Sequence, residues 1–307
     1  MSAHHAHPHA PGNPVYLTAL GITAAYAFVE LAGGLWTGSL ALLGDAGHMF
    51  SDAMALGIAA IAATLARRPA SQRHTYGWAR AEVIGALLNG VLMLAIILLL
   101  VVEAVGRLQA PQPVAAPAMM LIALVGIAVN AGVAWILSRG EHTLNARAAL
   151  LHVMGDLVSS FAALVAGAVI LATGWLPIDP ILTLFIAALI LVSALRLVGD
   201  ALHVLMEGVP PAIDIPAVGR ALAELPGVVS VHDLHVWSIR PEQVALSAHI
   251  ELDDLQRWPA ILASATTLLE SRFGIGHVTL QPETPRGPGE RDSSVVRLWP
   301  RSLRPRR

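Results

Sequence analysis

Six stretches of this chain are apolar over lengths that a soluble core element does not need, and that length decides what the rest can be. They run over Val15–Trp36, Leu40–Ala66, Ala81–Leu108, Val114–Ser138, Leu144–Thr173 and Pro180–Leu202. An apolar run of more than about 18 residues is long enough to cross a hydrocarbon core about 30 Å thick as a helix. Turn-forming breaks separate the stretches, at Thr37-Gly38-Ser39, Pro111-Gln112-Pro113 and Thr173-Gly174-Trp175-Leu176-Pro177. Only 13% of the 307 residues are charged, against about 25% in soluble domains. The expectation is an α-helical membrane protein with six transmembrane helices (residues 15–202).

Basic residues set the orientation. Arg67, Arg68 and Arg73 lie in the second connection, with Arg80 just beyond it, and Arg139 and Arg147 lie at the fourth. The first, third and fifth connections carry no Lys or Arg. The positive-inside rule then makes connections two and four cytoplasmic, and six spans put both termini in the cytoplasm. The His-rich start (residues 1–14) has no basic residue before the first apolar block and no small-residue cleavage site, so it does not read as a signal peptide. Zero cysteines exclude disulfides, thiolate metal sites and cysteine nucleophiles. A net charge of -2 gives no electrostatic case for nucleic acid.

Beyond the last apolar block, residues 209–285 read as a small cytoplasmic α+β domain. Asp214 is placed to cap a short helix ending near Leu225; Val228–Ile239 and Val244–Leu252 alternate as strands. Trp258–Phe273 has helical spacing, and His277–Gln281 is a last strand. The order α-β-β-α-β suits an open, ferredoxin-like or metallochaperone-like sheet with helices on one face. Residues 286–307, rich in Arg, Pro, Gly and Ser, read as a disordered tail that can touch anionic lipid.

Two of the apolar helices carry ionisable residues that do not belong in lipid: His48-Met-Phe-Ser-Asp52 in the second and His152-Val-Met-Gly-Asp156 in the fifth. An i, i+4 spacing stacks each His and Asp on one helix face. An Asp at mid-membrane costs about 2.5–3.5 kcal/mol even on lenient insertion scales. Each Asp lies about 18 Å into its helix, at roughly 1.5 Å per residue, and the two helices run in opposite directions. Both pairs therefore reach the midplane. Two imidazoles and two carboxylates match a divalent ion in number and charge, and a His2Asp2 set suits zinc better than magnesium or calcium, which take six or more oxygens. The plainer reading is a pair of satisfied polar contacts holding helices together; it does not explain why spacing and depth recur.

At these residues the chain resembles the zinc-transporting branch of the cation diffusion facilitator family, over about Tyr16–Glu283. Further matching blocks are Ser39-Leu40-Ala41-Leu42-Leu43-Gly44-Asp45-Ala46, His74-Thr75-Tyr76-Gly77-Trp78 with Arg80 and Glu82, Ala86-Leu87-Leu88-Asn89-Gly90, and Val231-His232-Asp233-Leu234-His235-Val236-Trp237. The resemblance implies a homodimer of six-helix subunits with metallochaperone-like cytoplasmic domains, in a cell membrane, exporting zinc against inward proton flow. It assigns the transport site to His48, Asp52, His152 and Asp156, and a His at the first position of both pairs goes with zinc and sometimes cadmium. Proton exchange also follows from chemistry, because metal binding requires neutral His and ionised Asp, so that metal and protons compete for the same atoms. Cobalt and nickel can share such ligands. Zinc is then substrate, no prosthetic group is expected, and the partners are metal ion, protons, lipid and a second copy of the chain.

Other candidates follow. His232 and His249 on adjacent strands, with His277 and Glu283 around the last one, can hold a regulatory zinc ion or be ordinary strand residues; His235 is a weaker candidate. A loop metal site present in some relatives is expected to be absent, because Ser71 and Trp78 stand at the ligand positions. His4, His5, His7 and His9 can collect zinc weakly. Asp45 is placed either on an exit path or as a helix cap, Glu30 at a helix–helix contact, and Glu103 at the membrane interface. By resemblance, Arg80 and Glu207 can form an interdomain salt bridge. An intramembrane metalloenzyme is disfavoured because there is no HExxH, no free Glu to act as base and no open fourth position. A membrane-embedded zinc sensor without transport is the alternative, against which stands the burial of ligands at the midplane.

Overall fold

The computed structural model describes residues 14–138, 144–240, 243–285 and 299–300. Each apolar block forms one helix: α1 Pro14–Thr37, α2 Leu40–Ala66, α3 Ala81–Gln109, α4 Ala116–Ser138, α5 Leu144–Thr173 and α6 Ile178–Leu205. Among the described residues, α3, α4, α6 and the Val153–Thr173 part of α5 are long and apolar enough to cross a membrane. Helices α1 and α2, at 24 and 27 residues, are each about 36 Å or longer at 1.5 Å per residue. The chain divides into two compact units, one of residues up to 59 with 88–198, the other of 60–87 with 199 onward.

In the first unit α4 lies along α5 and α1. Its contacts are made by small side chains, with Ala41, Ala123, Ala163 and Ala166 buried around Leu42 and Met119. Hydrocarbon supplies no hydrophobic drive between helices, so close backbone approach and packing must hold them. Gly126 shows the limit: a Cβ there would lie 2.8 Å from Cζ of Tyr26 and 2.9 Å from Oγ of Ser160. Leu98, Leu99, Leu121, Phe161, Leu171 and Phe185 instead face outward, as a lipid-exposed surface requires.

The start of α2 is held from another helix. Asp179, in the first turn of α6 and fully buried, accepts hydrogen bonds from Ser39 Oγ (2.7 Å), Leu40 N (2.8 Å) and Ala41 N (3.2 Å). The two amides are ones that an α-helix cannot satisfy internally, at the positive end of its dipole. Arg107 of α3 pairs with Glu103 at 3.0 Å and donates to the carbonyl of Gly38 in the same connection. The end of α2 nearest its metal-ligand candidates is thus tied to both α6 and α3.

The second unit contains α7 Ile215–Ala223, β1 Val228–Arg240, β2 Gln243–Leu252, α8 Trp258–Phe273, β3 His277–Glu283 and β4 Trp299–Pro300. The sheet order is β3-β2-β1-β4; β1 is antiparallel to β2 and β4, and β2 is parallel to β3. A parallel pair needs a crossover, which α8 provides. Its end is set by Gly274, whose φ of 68° is a left-handed cap that a side chain resists. Val218 and Leu222 of α7 and Ile261, Ala265 and Leu269 of α8 pack on Val231, Leu246 and Ile250 of the sheet.

Two expectations change here. Asp214 precedes α7 in extended conformation, but its side chain makes no capping hydrogen bond; Pro216 in the first turn already lacks the amide that a cap would satisfy. Within the stretch expected to be a disordered tail, Trp299 and Pro300 pair with Val231 and Ser230 on the free edge of β1. The remainder of that tail and the His-rich start lie outside the described residues.

Asp179→Ala removes three hydrogen bonds from the start of α2 and should lower stability by about 2 kcal/mol or more. Asp179→Asn, which keeps one acceptor, should lose less. Thermal unfolding in detergent checks this, and equal melting temperatures for both variants and the parent would contradict it.

Candidate metal sites

His48 and Asp52 lie one turn apart on α2, as their spacing requires, and α5 brings Asp156 to them. His48 Nδ1 is 3.6 Å from Asp52 Oδ2 and His48 Nε2 is 3.9 Å from Asp156 Oδ1. Asp156 is fully buried, while the His48 and Asp52 side chains keep 17% and 30% of their exposure, so the group is sealed at the α5 side and reachable at the α2 side. Those separations exceed a hydrogen bond and are close to the roughly 3.3 Å between donors that share a tetrahedral ion at about 2 Å each. The imidazole stands between the carboxylates with one nitrogen toward each, so a shared ion requires the ring to turn. His152 is placed one turn before Asp156 on α5; its side chain lies outside the described residues.

Asp45 and Glu30 both lie in the interior of the helical unit. Asp45 does not cap α2, a role taken by Asp179; it is buried in the interior, and Ser160 Oγ donates to its Oδ2 at 3.4 Å. Glu30 of α1, also fully buried, lies against Tyr26 and Asp45. Asp156 is a neighbour of both. Glu30 thus faces the polar interior, as expected of it.

In the sheet, His232 and His249 are cross-strand partners on β1 and β2, with ring centroids 5.2 Å apart. Glu283, at the end of β3, joins them: His232 Nε2 is 3.2 Å from Oε2 and His249 Nδ1 is 2.7 Å from Oε1. Ligand atoms of the three lie within 4.8 Å of one another. His232 Nδ1 is buried and has no hydrogen-bond partner. Two imidazoles and a carboxylate, one nitrogen orphaned in a buried setting, fit a zinc ion that takes its fourth ligand from elsewhere. His277 does not join them. It pairs in register with Ala245 at the far end of β3, about 20 Å from Glu283 at 3.3 Å per residue, and its exposed ring packs edge-on to Tyr76. The expected four-residue cluster is one of three.

A bulge explains the position of His235. Between the pairs His232–His249 and His235–Ser247, β1 advances three residues while β2 advances two. The extra residue returns His235 to the face of His232, which simple alternation forbids. Asp233 takes a left-handed φ of 50° at this point. Its carboxylate meets His235 Nε2 at 2.9 Å and His249 Nε2 at 3.6 Å. The hydrogen bond from His235 holds the Asp233 carboxyl below its ordinary range; slight desolvation opposes this, and the charges of His235, His249 and His232 add to it.

Arg80 and Glu207 form the expected ion pair, Nη2 to Oε1 at 3.2 Å. Glu207 has a φ of 60°, a conformation uncommon for a residue with a side chain. In the connection after α2, His74 stacks against Trp78 at 4.7 Å. His4, His5, His7 and His9 lie outside the described residues.

Comparison with known proteins places these features in context. Residues 16–206 match the family described as "Cation efflux transmembrane domain", and residues 210–285 match "Cation efflux protein, cytoplasmic domain". The chain is 41% identical over 270 residues to the zinc transporter ZitB of Escherichia coli, covering 87% of this chain and 86% of that protein. It is 40% identical over 288 residues to a cadmium, cobalt and zinc/H(+)-K(+) antiporter of Bacillus velezensis, covering 91% and 92%. Among solved structures it is similar to the metal-bound C-terminal domain of the CzcD transporter from Cuprividus metallidurans, with 32% identity, 23% of this chain and 99% of that chain covered, and a TM-score of 0.22.

The Arg80–Glu207 pair is partly exposed on both sides, so reversing either charge should cost no more than about 1 kcal/mol. Arg80→Glu combined with Glu207→Arg should recover the loss, as read from melting temperatures of the single and double variants at low salt. Additive losses in the double variant would exclude a direct pair.

Proposed function

The chain belongs to the cation efflux family, whose members' transmembrane and cytoplasmic regions it matches in full order, and on that premise we propose that it exports Zn²⁺ from the cytoplasm in exchange for protons. It is an integral membrane protein of metal cation efflux. The finer assignment of substrate, coupling and site is our reading. Cd²⁺, Co²⁺ and Ni²⁺ are substrates of the same class, since imidazole and carboxylate ligands accept them too. The relatives named for zinc transport and for antiport of cadmium, cobalt and zinc support it.

The observation that carries the reading is the approach of fully buried Asp156 on α5 to His48 on α2, at 3.9 Å, inside a unit whose exterior is apolar. A carboxylate there is a ligand of the charge and chemistry that a divalent ion takes, and the imidazole of His48 beside it is another. In the proposed cycle the site opens to the cytoplasm, His48 and His152 give up protons as Zn²⁺ binds them with Asp52 and Asp156, and the site then opens outward. There the ion leaves and protons return to the same atoms. Both termini lie in the cytoplasm, and two copies assemble through the domain that the family description calls cytoplasmic.

His232, His249 and Glu283 are proposed as a regulatory zinc site in that domain. When bound, zinc would crosslink β1, β2 and β3, and the buried His232 nitrogen or its neighbour on the ring would gain a partner.

Asp156→Ala and His48→Ala should each abolish zinc uptake into proteoliposomes driven by a pH gradient, while the protein still inserts and dimerises. Uptake at the parental rate in either variant would remove the site assignment. For the sheet cluster, His249→Ala in the full-length chain should remove one class of zinc site from a calorimetric titration and leave another. It should also shrink the stabilisation that zinc confers on the full-length chain, which for a ligand at about 100 times its Kd amounts to about 2.7 kcal/mol. A titration identical to the parent's would leave the histidines as ordinary strand residues.

A further inference from the structure

Three connections carry no Lys or Arg and are expected on the outer side: α1–α2, α3–α4 and α5–α6. All three meet at the start of α2. Asp179, just past the α5–α6 connection, accepts from Ser39 Oγ, Leu40 N and Ala41 N. Arg107, at the end of α3, donates to the Gly38 carbonyl, and Ala115, before α4, donates its amide to the Thr37 carbonyl at 2.9 Å. Gly38 has a φ of 72°, and a Cβ there would lie 3.0 Å from the Pro113 carbonyl oxygen, so the turn sits hard against the α3–α4 connection. From Ser39 to Ala46 every residue is buried except half-buried Leu43. The first turns of α2 are thus enclosed, while Asp52, further along the same helix, keeps 30% of its side-chain exposure.

An ion gripped by His48 and Asp156 holds α2 to α5, so its release to the outer side has to part α2 from another neighbour. On one side α2 packs Ala41 and Leu42 among Met119, Ala123, Ala163 and Ala166 of α4 and α5, with partly buried Ile178 and Leu182 of α6 beside them. That contact is dry and gains nothing from water. On the other side stand α3 and α6, which pack on each other through Met93, Ile97, Ala187 and Ala194 and each send one charged side chain to the start of α2. Hydrogen bonds to Asp179 can be exchanged for bonds to outer water at little net cost. We propose that Asp179 is the latch of an outer gate: its carboxylate holds α2 against α6 while the ion loads, and releases Ser39, Leu40 and Ala41 when the site opens outward. The inference rests on the export reading above. Such a carboxylate has two stable settings, bonded to the helix amides or hydrated, and anything between leaves it desolvated and unpaired. The latch is therefore shut or open, as alternating access requires.

The test uses the full-length protein, which has no cysteine of its own. A Cβ at Gly44 would meet Cγ2 of Thr183 at 3.9 Å in ordinary contact, so Gly44→Cys with Thr183→Cys can tie α2 to α6 and leave Asp179 in place. The reduced double variant should bind and transport zinc. Its oxidised form should bind zinc with the same affinity in a calorimetric titration and lose uptake into vesicles, and reduction should restore uptake. Equal uptake by the two forms overturns the proposal, and so does loss of zinc binding on oxidation, since the latched form is the one that loads. With Gly44→Cys as the only thiol, Asp179→Asn should speed its reaction with an impermeant maleimide outside right-side-out vesicles by about tenfold, the shift that losing one charge-assisted hydrogen bond brings. An unchanged rate counts against the latch. If the variants do not fold or the thiols do not join, hydrogen exchange in the parent decides: the Leu40 and Ala41 amides should exchange faster during turnover than at rest, and equal protection overturns the proposal. A parent that moves no zinc removes the export reading and this inference with it, whereas uptake that persists in the oxidised double variant removes this inference alone.

Discussion

A carboxylate sealed in an apolar interior is the constraint around which the helical unit is arranged. Asp156 has no exposure, and desolvation of an isolated charge is too costly to be tolerated without a compensating group. The same residue on a soluble surface would need no explanation. Here it goes with α2 presenting His48 to α5 and with α4 lying close to α5 and α1 through alanines and glycine. Much of the polar content of the interior, Glu30 and Asp45 included, lies near this one group.

Keeping such a group useful requires some parts to be fixed and others free. The start of α2 is fixed, by Asp179 from α6 and Arg107 from α3. The His48 ring meets two carboxylates at 3.6 and 3.9 Å, longer than a hydrogen bond. Such separations, one to three turns from a fixed helix end, suit the ion that arrives and leaves in the proposed cycle. In the sheet the balance is the reverse. His249 and Glu283 meet at 2.7 Å, within a framework of paired strands, as suits an ion that stays.

Helix length and periodicity were legible in the sequence, because lipid admits few alternatives to a helix of about 20 apolar residues. The pairing of His48 with Asp52 was legible for the same reason, since 3.6 residues per turn stacks i and i+4. What spacing does not encode is which helix faces which. Asp179 reads as an acidic residue in the first turn of its own helix, and its actual role is to cap α2. Glu30 reads as facing the polar interior, but its neighbour there, Asp45 of another helix, does not follow from spacing. Strand register was equally hidden: His277 and Glu283 sit on one short strand, so both looked available to His232, and only the parallel pairing of β3 with β2 separates them. The bulge at Asp233, which brings His235 to the face of His232 and His249, leaves no mark beyond an aspartate among β-branched residues.

The parallel pairing of β2 with β3 has a consequence for how the domain is made. His232 and His249 belong to a hairpin whose strands can meet as soon as Leu252 has been synthesised, but Glu283 reaches them only after α8 has crossed over and β3 has docked. The carboxylate is thus the last component to arrive, delivered by the longest-range contact in the cluster. During translation, the hairpin is therefore without its Glu283 carboxylate until β3 docks. Completion of the three-residue cluster reports that the crossover has been made and the parallel pair formed.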